Sequence, residues 1–190
     1  MGKRMGIGLL AAACAGMVVG CAGNKGGTRY DDPSAIAVLE PTQGNSVRGA
    51  VDFVRTGNDV TVTVSLSGFA PNSTHGIHIH EIGDCTARDG SSAGGHFNPM
   101  GAEHGGTSGA KRHGGDLGNI QADATGNVVA TVKIDGVAFG TGTDSIVGRS
   151  LVVHAGADDL KSQPAGNSGA RIACGIITRN PDRRTYAQTP

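Results

Sequence analysis

Residues 58–69, NDVTVTVSLSGF, alternate without a break: Val60, Val62, Val64 and Leu66 on one parity, Thr61, Thr63 and Ser65 on the other. Successive side chains leave a strand on opposite faces, so a period of two marks a strand with one face buried and one face wet. No stretch of the chain sustains a helical period. Shorter apolar runs recur along it: AIAVLEP, SVRGAVDFVRTG, HGIHIHEI, NVVATVKI, RSLVVHA and ARIACGIIT, punctuated by Gly, Asn, Asp and Pro. Many short strands joined by turns predict an all-β fold, an antiparallel sandwich or barrel. The 33 glycines supply turns, and with 3% aromatic residues and no tryptophan the core must be aliphatic. A chain of 190 residues is long enough for one full core. Sixteen basic residues balance sixteen acidic ones. That balance lacks the basic excess of a nucleic-acid binder and gives no electrostatic reason to adhere to anionic membranes.

The N-terminus has a different character. Lys3 and Arg4 precede the uncharged run MGIGLLAAACAGMVVG, which is too short and glycine-rich for a convincing spanning helix. The run closes on VVGC, at Cys21. An aliphatic residue, a small residue and then cysteine resembles a bacterial lipobox, which implies cleavage before Cys21 and lipid on its sulfur. Cys14, in AAAC, fits less well, because it lies mid-run without the aliphatic residue three before it. An ordinary secretory peptide or an uncleaved anchor are the alternatives. On the lipobox reading, residues 1–20 are a signal peptide and 21–34 a lipidated cysteine with a polar, glycine-rich tether. Residues 35–178 are the folded domain and 179–190 a tail. The protein is then expected in a bacterial cell envelope, held to a membrane by lipid and facing the periplasm. Cys85 and Cys174 are the cysteines left, and in an exported chain they can form one disulfide; a buried pair of free thiols is the alternative.

Three of the seven histidines crowd into STHGIHIHEIGDC. His78 and His80 share a strand face, about 7 Å apart along the strand, and can turn toward one ion. His75 has the opposite parity and reads as structural, bonding a carbonyl. A lone alternating pair would more often be an exposed polar face. This pair has company in the sequence: GGHFNPMGAEHGGTSGAKRHGGDLGN carries His96, His104, His113 and Asp116, and SLVVHAGADD adds His154. Two irregular stretches, residues 83–118 and 155–170, are long enough to be functional loops, and a metal would order the first. Nitrogen donors with a single carboxylate suit zinc or copper better than calcium or magnesium. Six histidines and Asp116 supply seven ligands, whereas two four-coordinate ions need eight. One histidine bridging both ions through its two ring nitrogens makes up the difference.

GIHIHEIGDC, GGHFNP, RHGGDLGN, LVVHAGADDL and GNSGARIACG together resemble the signature segments of the copper/zinc superoxide dismutases, in the family's order and spacing, over roughly residues 35–178. The resemblance implies a Greek-key β-barrel, or flattened antiparallel sandwich, with long metal-binding and electrostatic loops. It implies one copper ion on His78, His80, His96 and His154. It implies one zinc ion on His96, His104, His113 and Asp116, with His96 as the bridge that moves a proton. It implies that Arg171 guides the anion, that Cys85 and Cys174 pair, and that Asp158 bonds the far nitrogens of His80 and His104. The substrate implied is superoxide, converted to hydrogen peroxide and dioxygen. The lipobox and GDCTARDG resemble the exported bacterial branch, where the enzyme protects the envelope. A homodimer is compatible with the family, but dimer contacts differ between branches and no interface is read from the sequence. The 155–170 loop is shorter than in the cytosolic enzymes and lacks a glutamate cluster, so long-range steering would need other basic residues. Two rivals remain at this stage: a copper-storage or trafficking relative on the same barrel, and a binuclear zinc hydrolase, which would need an open coordination position and a carboxylate base.

Overall fold

The computed structural model describes residues 1–2, 34–109 and 111–180. Cys14, Cys21, nearly all of the expected signal and of the tether, and most of the tail lie outside the described residues. Within them the chain forms eight strands: β1 (Ser34–Pro41), β2 (Arg48–Thr56), β3 (Asp59–Ser67), β4 (Thr74–His80), β5 (Asp116–Gln121), β6 (Asn127–Ile134), β7 (Ser150–His154) and β8 (Arg171–Arg179). The one helical element among the described residues is a 3₁₀ turn at Ser91–Ala93.

The alternation read from residues 58–69 becomes β3: Val60, Val62, Val64 and Leu66 are buried, while Thr63 and Ser65 are exposed. Their partners across β2 include Phe53 and Val51, also fully buried, so cross-strand pairs fill one side of the sheet. Burying each such side chain stabilises the fold by about 1.5–3 kcal/mol. The β2–β3 hairpin turns on two residues, with Gly57 at φ 65° in the first central position, where a type II′ turn calls for glycine. Further along β2, Gly49 sits at φ 143°, and a Cβ there would lie 2.2 Å from the Ser65 carbonyl oxygen. Only a residue without a side chain lets β2 and β3 approach so closely at that point.

Strand order is β5-β4-β7-β8-β1-β2-β3-β6, and every strand pairing is antiparallel. The chain therefore crosses over between β3 and β4 and again between β6 and β7, the non-sequential order of a Greek key. Strand β8 joins the two halves by pairing with both β7 and β1. The result is a nearly closed eight-stranded barrel around a largely aliphatic core with Phe53, Phe69, Phe97 and Phe139, and a small separate cluster of Ala93, Val152 and Cys174.

One strand escaped the sequence reading. The irregular stretch was expected to run to residue 118 and no strand was read over DLGNIQ, yet Asp116–Gln121 is β5 and pairs with β4. Its glycine and three polar residues, Asp116, Asn119 and Gln121, hide the alternation. Its apolar side chains, Leu117 and Ile120, are nonetheless buried in the core.

Candidate metal centre

In β4, Ile77 and Ile79 go to the barrel core. Parity sends His78 and His80 to the opposite face. That face is covered: His78 is 0% and His80 1% exposed. The cover comes from the two long loops, residues 81–115 and 155–170, so the histidine face is buried rather than a solvated strand surface. His75 lies on the other parity, as expected, and is satisfied structurally. It bonds the His154 carbonyl oxygen at 2.8 Å and Ser73 Oγ at 2.7 Å, against Phe69.

Two register shifts fall at this end of the barrel. One lies between Gly76 and His78 opposite β5, the other between Val153 and His154 opposite β8. Such irregularities re-aim side chains, and here they sit beside His78 and His154. The histidines form two clusters, His78/His80/His96/His154 and His96/His104/His113/Asp116, each with ligand atoms within 4.8 Å of one another. His96 belongs to both.

Hydrogen bonds decide which nitrogen each ring presents. His80 Nδ1–H donates to the Gly94 carbonyl and His154 Nδ1–H to that of Gly169, at 2.9 and 3.1 Å, leaving both Nε2 atoms facing inward. These Nε2 atoms stand 3.3 Å apart. His78 is reversed: Nε2–H donates to Asp158 Oδ2 at 2.7 Å, so Nδ1 faces the cluster. In the second cluster three ring nitrogens converge on one carboxylate oxygen, Asp116 Oδ1. His96 Nδ1 lies 2.9 Å from it, His104 Nδ1 3.0 Å and His113 Nδ1 3.3 Å. Four donors about 2.0 Å from a tetrahedral zinc would stand about 3.3 Å apart, close to these separations. Asp116 Oδ2 is held separately by the Gly105 and His113 amides.

The fit to metal rests on orphaned atoms. His78 Nδ1, His96 Nε2, His104 Nδ1 and His113 Nδ1 are buried and make no hydrogen bond of acceptable geometry. Buried polar atoms are nearly always paired, and these four all point into one or other cluster. Burial also keeps the rings unprotonated, as metal ligands must be. It pushes the His80 pKa down to about 2 and that of His154 to about 3, and lowers those of His78 and His113. Burial alone would raise Asp116, but bonds from His96, Gly105 and His113 outweigh it and hold the carboxyl well below its usual range.

Asp158 joins the clusters from behind, and here one expectation is corrected. Its carboxylate takes His104 Nε2 at 2.9 Å and His78 Nε2 at 2.7 Å, not His80. His80 has already given its outer nitrogen to Gly94, whereas His78, reversed in its ring, turns Nε2 outward to Asp158. Arg171 stands at the other side. Its guanidinium donates to the Gly90 and Gly94 carbonyls and borders a cavity of about 540 Å³ shared with His80, His96 and His154. Cys85 and Cys174 form a disulfide, Cα atoms 5.8 Å apart, which ties the loop holding Gly90 and Gly94 to β8. Sequence reasoning missed Asn119 and Gln163. Asn119 exchanges two bonds with the backbone of Asp158, Gln163 two with that of His104. Neither carries a sequence signal, because both act through the backbone of a distant residue.

Barrel and site together define a class: a β-barrel metalloprotein with two adjoining buried donor sets that share one imidazole. A model of the copper/zinc superoxide dismutase family matches residues 47–177. A Cu-Zn superoxide dismutase of Schizosaccharomyces pombe is 47% identical over 152 residues, covering 75% of this chain and 96% of that protein. One from Paramecium bursaria Chlorella virus 1 is 46% identical over 151 residues, 76% of this chain and 77% of the relative. One from Neurospora crassa is 45% identical over 151 residues, 75% and 96% respectively. The chain belongs to the copper/zinc superoxide dismutase family, oxidoreductases that use one copper and one zinc ion to dismute superoxide.

Proposed function

We propose that His78, His80, His96 and His154 hold the copper ion, that His96, His104, His113 and Asp116 hold the zinc ion, and that His96 bridges them. The observation that carries this division is the opposed aim of the two His96 nitrogens. Nδ1 meets Asp116, and the orphaned Nε2 faces the all-histidine set. Three neutral imidazoles and the bridge suit copper, and the set with the carboxylate suits zinc.

Copper held by His78, His80, His96 and His154 would supply a one-electron redox couple, by which two superoxide anions and two protons become dioxygen and hydrogen peroxide, and zinc held by His96, His104, His113 and Asp116 would supply a fixed positive charge beside it. Arg171 does the docking: its permanently charged guanidinium, fixed by two carbonyls beside His80, His96 and His154, offers its remaining donors to a small anion. His96 does the proton handling, taking a proton at Nε2 and giving it up there while Nδ1 stays with the Asp116 set. Asp158 keeps the His78 and His104 rings from turning. In a metal-loaded preparation His154→Ala lowers copper content and abolishes turnover while zinc content is kept. Normal turnover in that variant would refute the copper assignment.

The lipobox around Cys21, behind a basic start and an apolar run, supports a place in the exported bacterial branch. On this reading residues 1–20 are removed, Cys21 carries lipid, the barrel works in the periplasm, and its task is protection of the envelope. Cys21→Ser then moves the protein from the membrane to the soluble fraction; continued membrane retention would count against lipidation.

A further inference from the structure

Gln163 lies in the 155–170 loop with an exposed stem, yet its carboxamide treats His104 as a strand partner would. Oε1 accepts the His104 N–H at 2.8 Å, and Nε2 donates to the carbonyl of the same residue at 3.0 Å. A third contact, Nε2 to the Lys161 carbonyl at 3.2 Å, braces the amide from its own loop. Among the described residues, the hydrogen bonds that join this loop to the loop of His104 run through two side chains. Asp158 holds the imidazole at Nε2, and Gln163 holds the backbone.

The two grips do different things. A ring held at Nε2 alone still swings about that bond. Fixing the backbone of the same residue fixes where its Cβ starts, and the two constraints leave Nδ1 one direction, toward Asp116 Oδ1 at 3.0 Å. The loop also closes tightly over the ring. Gly166, at φ 66°, comes so near that a Cβ would lie 1.9 Å from Asp158 Oδ1 and 2.6 Å from His104 Nε2. Gln163 and Gly166 therefore press one short segment onto one histidine.

We propose that Gln163 is a positioning residue for His104, clamping its backbone so that Nδ1 stays aimed into the zinc cluster and zinc is retained. This rests on the reading of His104 as a zinc ligand. Gln163 hydrogen-bonds none of His78, His80, His96 and His154, although it borders the cavity that three of them line, so its loss acts on zinc retention far more than on copper retention.

The full chain, loaded with copper and zinc, is challenged with a colorimetric zinc chelator, and release of each metal is timed. Gln163→Glu keeps the acceptor for the His104 N–H but sets a carboxylate oxygen against the His104 carbonyl; Gln163→Leu removes both bonds. Outer partners of metal ligands typically govern affinity by 10–100-fold, so both variants release zinc about tenfold faster or more. Copper release stays within about twofold of the parent, on the same scale. Cobalt placed in the zinc position gives a shifted visible spectrum in both variants, which general loosening of a distant loop does not produce. Zinc release within about twofold of the parent, or zinc and copper release accelerating together, overturns the proposal. His104→Ala is measured alongside. If it retains zinc, the ligand reading itself fails. If it loses zinc while the Gln163 variants match the parent, the clamp alone fails.

Discussion

Asp158→Asn tests how the two clusters are supported. Asp158 is 4% exposed, and its carboxylate accepts from His78 Nε2 at 2.7 Å and from His104 Nε2 at 2.9 Å. Asparagine preserves the shape but has one acceptor oxygen. That oxygen serves one ring, and the amide nitrogen then meets the N–H of the other, donor against donor. One charge-assisted hydrogen bond is lost, worth about 1.5–3 kcal/mol. On the proposed ligand assignment the loss reads out as metal affinity: roughly 10- to 150-fold, in zinc, in copper or divided between them. Competitive titration of the metal-free chain with zinc and with copper against chelators of known affinity measures it. Affinities for both metals within about threefold of the parent would contradict the arrangement, since a change that small is under 1 kcal/mol.

Three further outcomes follow from the same geometry. Burial depresses the pKa of His80 to about 2 and of His154 to about 3, so below the ordinary value near 6.5 the unfolded chain binds protons that the folded one refuses. Metal-free stability is therefore full above pH 6.5 and falls toward acid by about 1.4 kcal/mol per pH unit for each ring; equal urea midpoints at pH 7 and pH 5 would contradict this. The disulfide closes a loop with 89 residues of separation, so Cys174→Ser destabilises the fold by about 4–5 kcal/mol in urea unfolding, and a loss under about 1 kcal/mol would contradict that chain-entropy argument. Arg171→Ala leaves both metals bound and slows turnover about tenfold or more at low salt, as loss of a steering charge does, whereas an unchanged rate removes its docking role.

Legibility in the sequence followed periodicity and chemistry. Strand β3 was plain because burial follows parity residue by residue, and the pairing of His78 with His80 was plain for the same reason. The division of donors into two sets came from the family resemblance, the ligand count permitting only that one histidine be shared, and the geometry groups the same residues. What periodicity could not reach was geometry set by distant partners. Strand β5 is disguised by Gly118, Asn119 and Gln121, and is a strand because β4 pairs with it. The family resemblance implies His80 as a partner of Asp158, and parity could not correct it, because parity tells which face a histidine occupies but not which ring nitrogen faces inward. That choice between His78 and His80 was made by the Gly94 carbonyl, fourteen residues along the chain. Asn119 and Gln163 bind the backbone of other residues, so no side-chain pattern announces them.

The most direct test of the central claim is superoxide dismutation by the full chain, measured with one copper and one zinc loaded, after selective copper removal, and after copper is restored. The account predicts fast turnover, its loss with copper and its return on reloading. Tight binding of both metals at their two clusters without turnover would contradict it.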